Sequence, residues 1–308
     1  MPLRTAPLSD AVGLEILGID ASEPIDDETR RALNAAFLEA GVLLFRGVGT
    51  SVDAHLNVSR CFGELERHSV KESWTEGCPE LIDISYRPPV SGEQSKTQPI
   101  YEIDGEPLAG WLPWHTDQCF MPRLSRGGVL RALEVPPTRG RTGFIDKIHL
   151  YDMLPDDLKS AIEGLSVIYQ FEPRMDRHKF GKPAGLKLVS SSVAMDSILD
   201  RLDRDFPPAI HPLVYAQRDT GRKVLNFSPA YALRIEGMDD VGSNGLLSAL
   251  TAHCLAPAHA YFHDWRPGDL VVWDNWRTLH CAEGSPAEHA RIMHRTSIAG
   301  DYGLGSRL

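Results

Sequence analysis

No stretch of the 308-residue chain approaches the roughly 20 consecutive apolar residues that a membrane-spanning helix needs. No apolar run follows Arg4 either, so a secretory leader is not expected. Positive charge is in deficit: 32 Lys and Arg against 42 Asp and Glu give a formal net charge of −10. That argues against wholesale nucleic-acid binding, which leaves a basic footprint, while leaving room for a locally basic pocket. Cysteine is scarce. The five thiols (Cys61, Cys78, Cys119, Cys254 and Cys281) are odd in number and widely spaced, with no CxxC pair. Neither a disulfide framework nor a structural zinc site is expected from them, and free thiols in a reducing cytoplasm are. The chain also lacks fixed-period repeats, low-complexity tracts and any clear linker, so one domain over residues 1–308 is expected, without membrane or nucleic-acid partners.

What is present reads as an ordinary globular composition, 42% hydrophobic and 24% charged. Asp26-Asp27-Glu28 caps a helix whose Leu33, Ala36, Phe37 and Ala40 recur at helical spacing before Gly41 stops it. Val42-Leu43-Leu44-Phe45 reads as a buried strand, and Ser51 as the cap of a second helix running towards Phe62 and Gly63. Further strands are expected at Gly128–Glu134, Lys223–Ser228, Leu270–Trp273 and Arg291–Ile298, and helices at Leu154–Gly164 and Ser197–Arg204. Residues 86–114 are broken by Pro88-Pro89, Gly92, Gly105 and Gly110, and read as a long irregular lid or insertion. Tyr101, Trp111 and Trp114 are its candidate lining residues, with core packing as the plainer alternative.

The local signal with most chemistry is Trp114-His115-Thr116-Asp117. Residues two apart in an extended segment point the same way, so His115 and Asp117 can face one metal, whether iron, manganese or zinc. Alone, a His-x-Asp pair is weak. His280, read as ending the strand that runs on through Trp273–His280, supplies a third donor of the right type, and two histidines with one carboxylate leave several metal positions open. Arg291 follows eleven residues later and Arg295 four beyond that, on one face of an alternating strand. An arginine fork binds a carboxylate bidentately, which a lysine cannot do. Asp274 and His294 are read as structural, and His149, His178, His253, His259, His263 and His289 as surface or satisfied core residues.

These pieces occur in an order that resembles the taurine dioxygenase and 2,4-dichlorophenoxyacetate dioxygenase family. Phe62-Gly63-Glu64-Leu65 precedes the His-x-Asp segment. Arg139-Gly140-Arg141-Thr142-Gly143 follows, close to the family's Gly-Gly-Asp-Thr turn but without its aspartate. His211-Pro212-Leu213-Val214, Trp265-Arg266-Pro267-Gly268-Asp269, Trp273-Asp274-Asn275, His280 and Arg291-Ile292-Met293-His294-Arg295 complete the set. The resemblance implies a double-stranded β-helix (jelly-roll) core, mostly β with flanking helices. It implies an oxygenase using Fe(II), with 2-oxoglutarate and O2 as co-substrates and succinate and CO2 as products. His115, Asp117 and His280 would ligate the metal; Thr142 and Arg291 would bind 2-oxoglutarate; His68 and Arg295 would hold a small, anionic primary substrate. Hydroxylation, leading in some cases to C–S or C–O cleavage, is the implied outcome, and homo-oligomers are common in the family. Three other readings stand beside it. A non-catalytic metal-binding jelly roll that senses a ligand would not need Thr142, Arg291 and Arg295. A halogenating relative needs a vacancy where Asp117 stands. A zinc hydrolase could use the same ligands, but no general base is evident beside them.

Overall fold

The computed structural model describes residues 3–67, 74–75, 77–90 and 93–308. Two facing sheets carry the site. The larger runs, in spatial order, through Arg4–Pro7, Leu14–Leu17, Val42–Phe45, Leu270–Asp274, Gly127–Glu134, Ile292–Ile298, Cys78–Asp83 and Trp74–Thr75, with Leu65–Glu66 also pairing Ile292–Ile298. The smaller is Tyr261–His263, Thr142–Asp146, Thr278–Ala282 and Leu112–His115. From Leu112 to Asp146, and again from Tyr261 to Ile298, the chain alternates between the two sheets in antiparallel pairing. This is the expected jelly roll.

The central strands are buried on both faces. In Leu270–Asp274 every residue is buried, which is why its sequence reads as a continuous apolar run rather than an alternation. Within the larger sheet one position requires glycine: Gly128, the cross-strand partner of Trp273. A Cβ at Gly128 would lie 2.2 Å from the Trp273 ring, so the indole turned into the space between the sheets has no room for even a methyl group opposite it.

Several helices and strands lie as expected. Asp27–Ala40 is helical, Asp26 accepts from the Thr29 amide at 2.9 Å, and Gly41 closes it at φ 71. The second helix is Val52–Arg60, shorter than expected, and Ser51 makes no side-chain cap. The Ser197–Arg204 helix proves to be two pieces, Val193–Leu199 and Leu202–Asp205. The strand expected to reach Ser228 stops at Leu225.

Two differences bear on the site. His280 does not end the strand that starts at Leu270. A turn at residues 275–277 separates Leu270–Asp274 from Thr278–Ala282 and carries the chain into the other sheet. Residues 86–114 are less irregular than their glycines suggest. Ile100–Ile103 and Glu106–Ala109 form a hairpin, Ile103 opposite Glu106, and Leu112–His115 is a further strand. The connecting Asp104 and Gly105 have φ 52 and 83. Asp-Gly is a preferred pair for such two-residue turns, and here it outweighed the breaker reading. Tyr101 and Trp114 pack in apolar clusters, and neither they nor Trp111 line the cavity described below.

Candidate active site

His115 and His280 face each other across paired strands, in register, with ring centroids 4.2 Å apart. His115 Nδ1 is 2.8 Å from the Pro113 carbonyl. As the donor of that hydrogen bond it leaves Nε2 free to bind outward, the usual arrangement for a ligating histidine. Asp117 lies just past the strand. Its backbone is gripped on both sides by the fully buried Asn275, whose Oδ1 accepts from the Asp117 amide (2.9 Å) and whose Nδ2 donates to the Asp117 carbonyl (3.0 Å). Thr116, between the two donors, points the other way and accepts from the buried Lys147 ammonium at 3.0 Å. Burial pushes that lysine down to about 8.

Asp117 Oδ1 is 3.4 Å from His115 Nε2 and 3.6 Å from His280 Nε2, and all three donor atoms lie within 4.8 Å of one another. Burial and the His115 ring push His280 down to about 4, so it is neutral near pH 7, as ligation requires. Burial works against ionisation of Asp117, but Arg295 and the two histidines outweigh it and hold the carboxylate well below its usual range. Two imidazoles and a carboxylate on one side of a cavity suit a divalent iron with open positions.

Thr142 and Arg291 open onto the same cavity. Arg291 donates from Nε to the Gly140 carbonyl (3.1 Å) and from Nη2 to Thr142 Oγ1 (3.4 Å). Among the described residues it makes no ion pair with an acid, and burial alone pushes it down to about 10, so it is charged near pH 7. A desolvated cation without a counter-charge is costly, and a bound carboxylate would supply one. Arg141, where the family motif has aspartate, turns aside to Glu283 at 2.7 Å.

The profile of the taurine catabolism dioxygenase TauD, TfdA family matches residues 4–297. The chain belongs to that family. Relatives agree along nearly its whole length. The (S)-phenoxypropionate/alpha-ketoglutarate-dioxygenase of Sphingobium herbicidovorans is 32% identical over 299 residues, 96% of this chain and 94% of that one. The alpha-ketoglutarate-dependent 2,4-dichlorophenoxyacetate dioxygenase of Cupriavidus pinatubonensis is 30% identical, covering 98% and 99%. Among solved structures, a taurine dioxygenase from Burkholderia xenovorans superposes with a TM-score of 0.73 at 24% identity, covering 98% of this chain and 92% of that one, and shares the fold. As a TauD/TfdA protein the chain is an Fe(II)- and 2-oxoglutarate-dependent dioxygenase (2-oxoglutarate and alpha-ketoglutarate are one compound).

Of the two residues expected at the family's substrate anion, Arg295 lies against the three converging donors. Its Nη2 is 2.5 Å from Asp117 Oδ2, the oxygen turned away from the histidines. Its guanidinium lies over the Trp273 ring at 5.1 Å, and its Nε is buried without a partner. His68 lies outside the described residues. The sequence reading missed the roles of Asn275 and Trp265. Both stand in motifs it quoted, but their partners, Asp117 and Thr142, are distant along the chain. On the far side of His115, Tyr231 stands edge-on to the imidazole (6.4 Å) and packs with Phe120, Phe171 and His178. Tyr231 holds φ 67, a rare conformation for a bulky residue that recurs at functional sites.

Proposed function

We propose that this TauD/TfdA enzyme hydroxylates a small organic anion with an apolar or aromatic body, using iron held by His115, Asp117 and His280 and 2-oxoglutarate anchored by Arg291 and Thr142. The observation that carries the reading is that one cavity is lined both by the three converging donors and by an arginine that, among the described residues, makes no ion pair with an acid. When bound, iron with 2-oxoglutarate and dioxygen supplies the oxidising power that no side chain has, and 2-oxoglutarate leaves as succinate and CO2.

The chain's own residues do the positioning. Asn275 and Lys147 hold the loop that presents His115 and Asp117. Arg295 holds Asp117 Oδ2, leaving Oδ1 for the metal. Arg291 and Thr142 fix the distal carboxylate, so that the reacting end lies at the metal. Tyr86, Gln98, Ala109, Gly110 and Leu112 all come from residues 86–114 and wall the cavity; this segment is the proposed lid, keeping water from the oxidant.

The substrate class draws support from two sides. Ile84, Ala109, Leu112, Leu130 and Trp273 give the cavity an apolar wall that suits an apolar or aryl body. Two relatives are named for phenoxypropionate and 2,4-dichlorophenoxyacetate, both aryloxyalkanoates. Hydroxylation beside an ether oxygen would let such a product collapse with C–O cleavage. Arg295, with its spare donors, and His68 are the proposed partners of the substrate's anionic group. The five free cysteines support a cytoplasmic setting, and a homo-oligomer is proposed on the family resemblance alone. The test is succinate release from the iron-loaded enzyme against aryloxyalkanoates, alkyl sulfates and sulfonates. Acceleration by one of these classes supports the reading; acceleration only by uncharged or cationic compounds contradicts it.

A further inference from the structure

We infer that Trp265 is a positioning residue for 2-oxoglutarate, acting through Thr142: its indole N–H commits the threonine hydroxyl to donate a hydrogen bond into the cavity. The inference rests on the reading of Arg291 and Thr142 as the distal-carboxylate site.

A hydroxyl carries one proton and two lone pairs. At Thr142 Oγ1, Trp265 Nε1 donates at 2.9 Å and Arg291 Nη2 donates at 3.4 Å. Both lone pairs are thereby engaged, and the hydroxyl can serve a third partner only by giving its proton. Among the described residues no acceptor takes it, and Thr142 lines the cavity. An incoming carboxylate oxygen therefore meets a donor. Without the indole N–H, one lone pair would be free, and the hydroxyl could rotate to present oxygen to the anion instead.

Trp265 is itself held in place. It is 8% exposed and stands edge-on to His263, with ring centroids 4.5 Å apart. His263 is fixed by Asp269 at 3.1 Å and by the Tyr261 hydroxyl at 3.0 Å. Thr142 lies opposite His263 in the strand register, which brings the indole over the threonine. Trp265 is not among the residues lining the cavity, so any influence on the co-substrate passes through the hydroxyl.

Trp265→Phe keeps the ring and removes the N–H. The assay is equilibrium binding to the anaerobic Fe(II) protein of 2-oxoglutarate and of 2-oxobutyrate, a 2-oxo acid without the distal carboxylate. The substitution should weaken 2-oxoglutarate by roughly 5- to 10-fold, the scale of one ordinary net hydrogen bond, and leave 2-oxobutyrate unchanged. In a Thr142→Val background it should add no further loss, because coupled residues are not additive. Equal weakening of both acids, or a full second loss in that background, would show that Trp265 acts only by packing and would overturn the inference. Wild-type 2-oxoglutarate affinity in Arg291→Ala is a separate outcome; it would refute the underlying site reading and the inference with it. If Trp265→Phe fails to fold, the indole N–H resonance of the zinc-substituted wild type decides: it should shift with 2-oxoglutarate but not with 2-oxobutyrate, and the same response to both would contradict the inference.

Discussion

Replacing Arg291 with methionine should weaken 2-oxoglutarate binding by roughly 100-fold without unfolding the protein. In the ligand-free chain the guanidinium has two neutral partners, the Gly140 carbonyl and Thr142 Oγ1, and among the described residues it makes no ion pair with an acid. Burial has already pushed it down to about 10, so the folded state gains little from the charge. A well-packed apolar replacement at such a site is often neutral for the fold. In the complex the same group would make charge-assisted hydrogen bonds worth about 1.5–3 kcal/mol each. Losing about 3 kcal/mol weakens binding by roughly 100-fold, at 1.4 kcal/mol per tenfold. Thermal unfolding with and without 2-oxoglutarate, in the presence of the metal, reads both effects. Wild type at 100 times its Kd should gain about 2.7 kcal/mol. The variant at the same concentration should gain almost nothing, while its ligand-free midpoint stays near that of wild type. An unaltered 2-oxoglutarate response in Arg291→Met would refute the assignment. A collapse of the ligand-free midpoint would refute the claim that the arginine is kept for a ligand.

Other outcomes follow from the same contacts. Asn275→Ala removes three hydrogen bonds, two to the Asp117 backbone and one to the Ser125 carbonyl. It should lower unfolding free energy by about 2–4 kcal/mol and weaken iron binding, measured by denaturant titration and metal dialysis; unchanged metal affinity would show that Asp117 does not depend on it. Gly128→Ala puts a methyl into the Trp273 ring and should destabilise by at least about 1–3 kcal/mol; a stable variant would mean the indole is elsewhere. Burial pushes His178 and His211 each down to about 4, from 6.5. Between pH 6.5 and 4 the unfolded chain therefore binds more protons at these positions. Stability should fall as pH drops through that window, by up to about 1.4 kcal/mol per pH unit for each histidine. Urea titrations of the metal-free protein at several pH values check this, and a curve flat from pH 7 to 4.5 would contradict it.

Two of the three candidate metal donors were legible in the sequence because part of the geometry is local. His115 and Asp117 are two residues apart, and Arg291 and Arg295 alternate along one strand, so each pair could be placed on a common side from spacing alone. The Asp26 cap and the Gly41 stop were readable for the same reason. The position of His280 opposite His115 depends on strand pairing across 165 residues; the sequence offered it only as a donor of the right type, and its ligand role came from the ordered set of family motifs. Asn275 and Trp265 were quoted for their motifs without roles, since the groups they serve sit in other strands. The hairpin at Asp104-Gly105 was missed because its glycine was weighed as a breaker rather than as half of a turn pair. The division of Leu270–Ala282 between two sheets was missed because both halves are short and buried, and a short buried run carries no mark of which sheet it joins.

The central claim, that iron and 2-oxoglutarate meet at His115, Asp117 and His280, is tested most directly by anaerobic titration of the metal-free protein with Fe(II) and then 2-oxoglutarate, watching for the weak visible charge-transfer absorption of the chelate. The account predicts a band in wild type that is lost in His115→Ala and, at matched concentration, much weakened in Arg291→Met. Iron bound with no band at saturating 2-oxoglutarate, or a band unchanged in both variants, would contradict it.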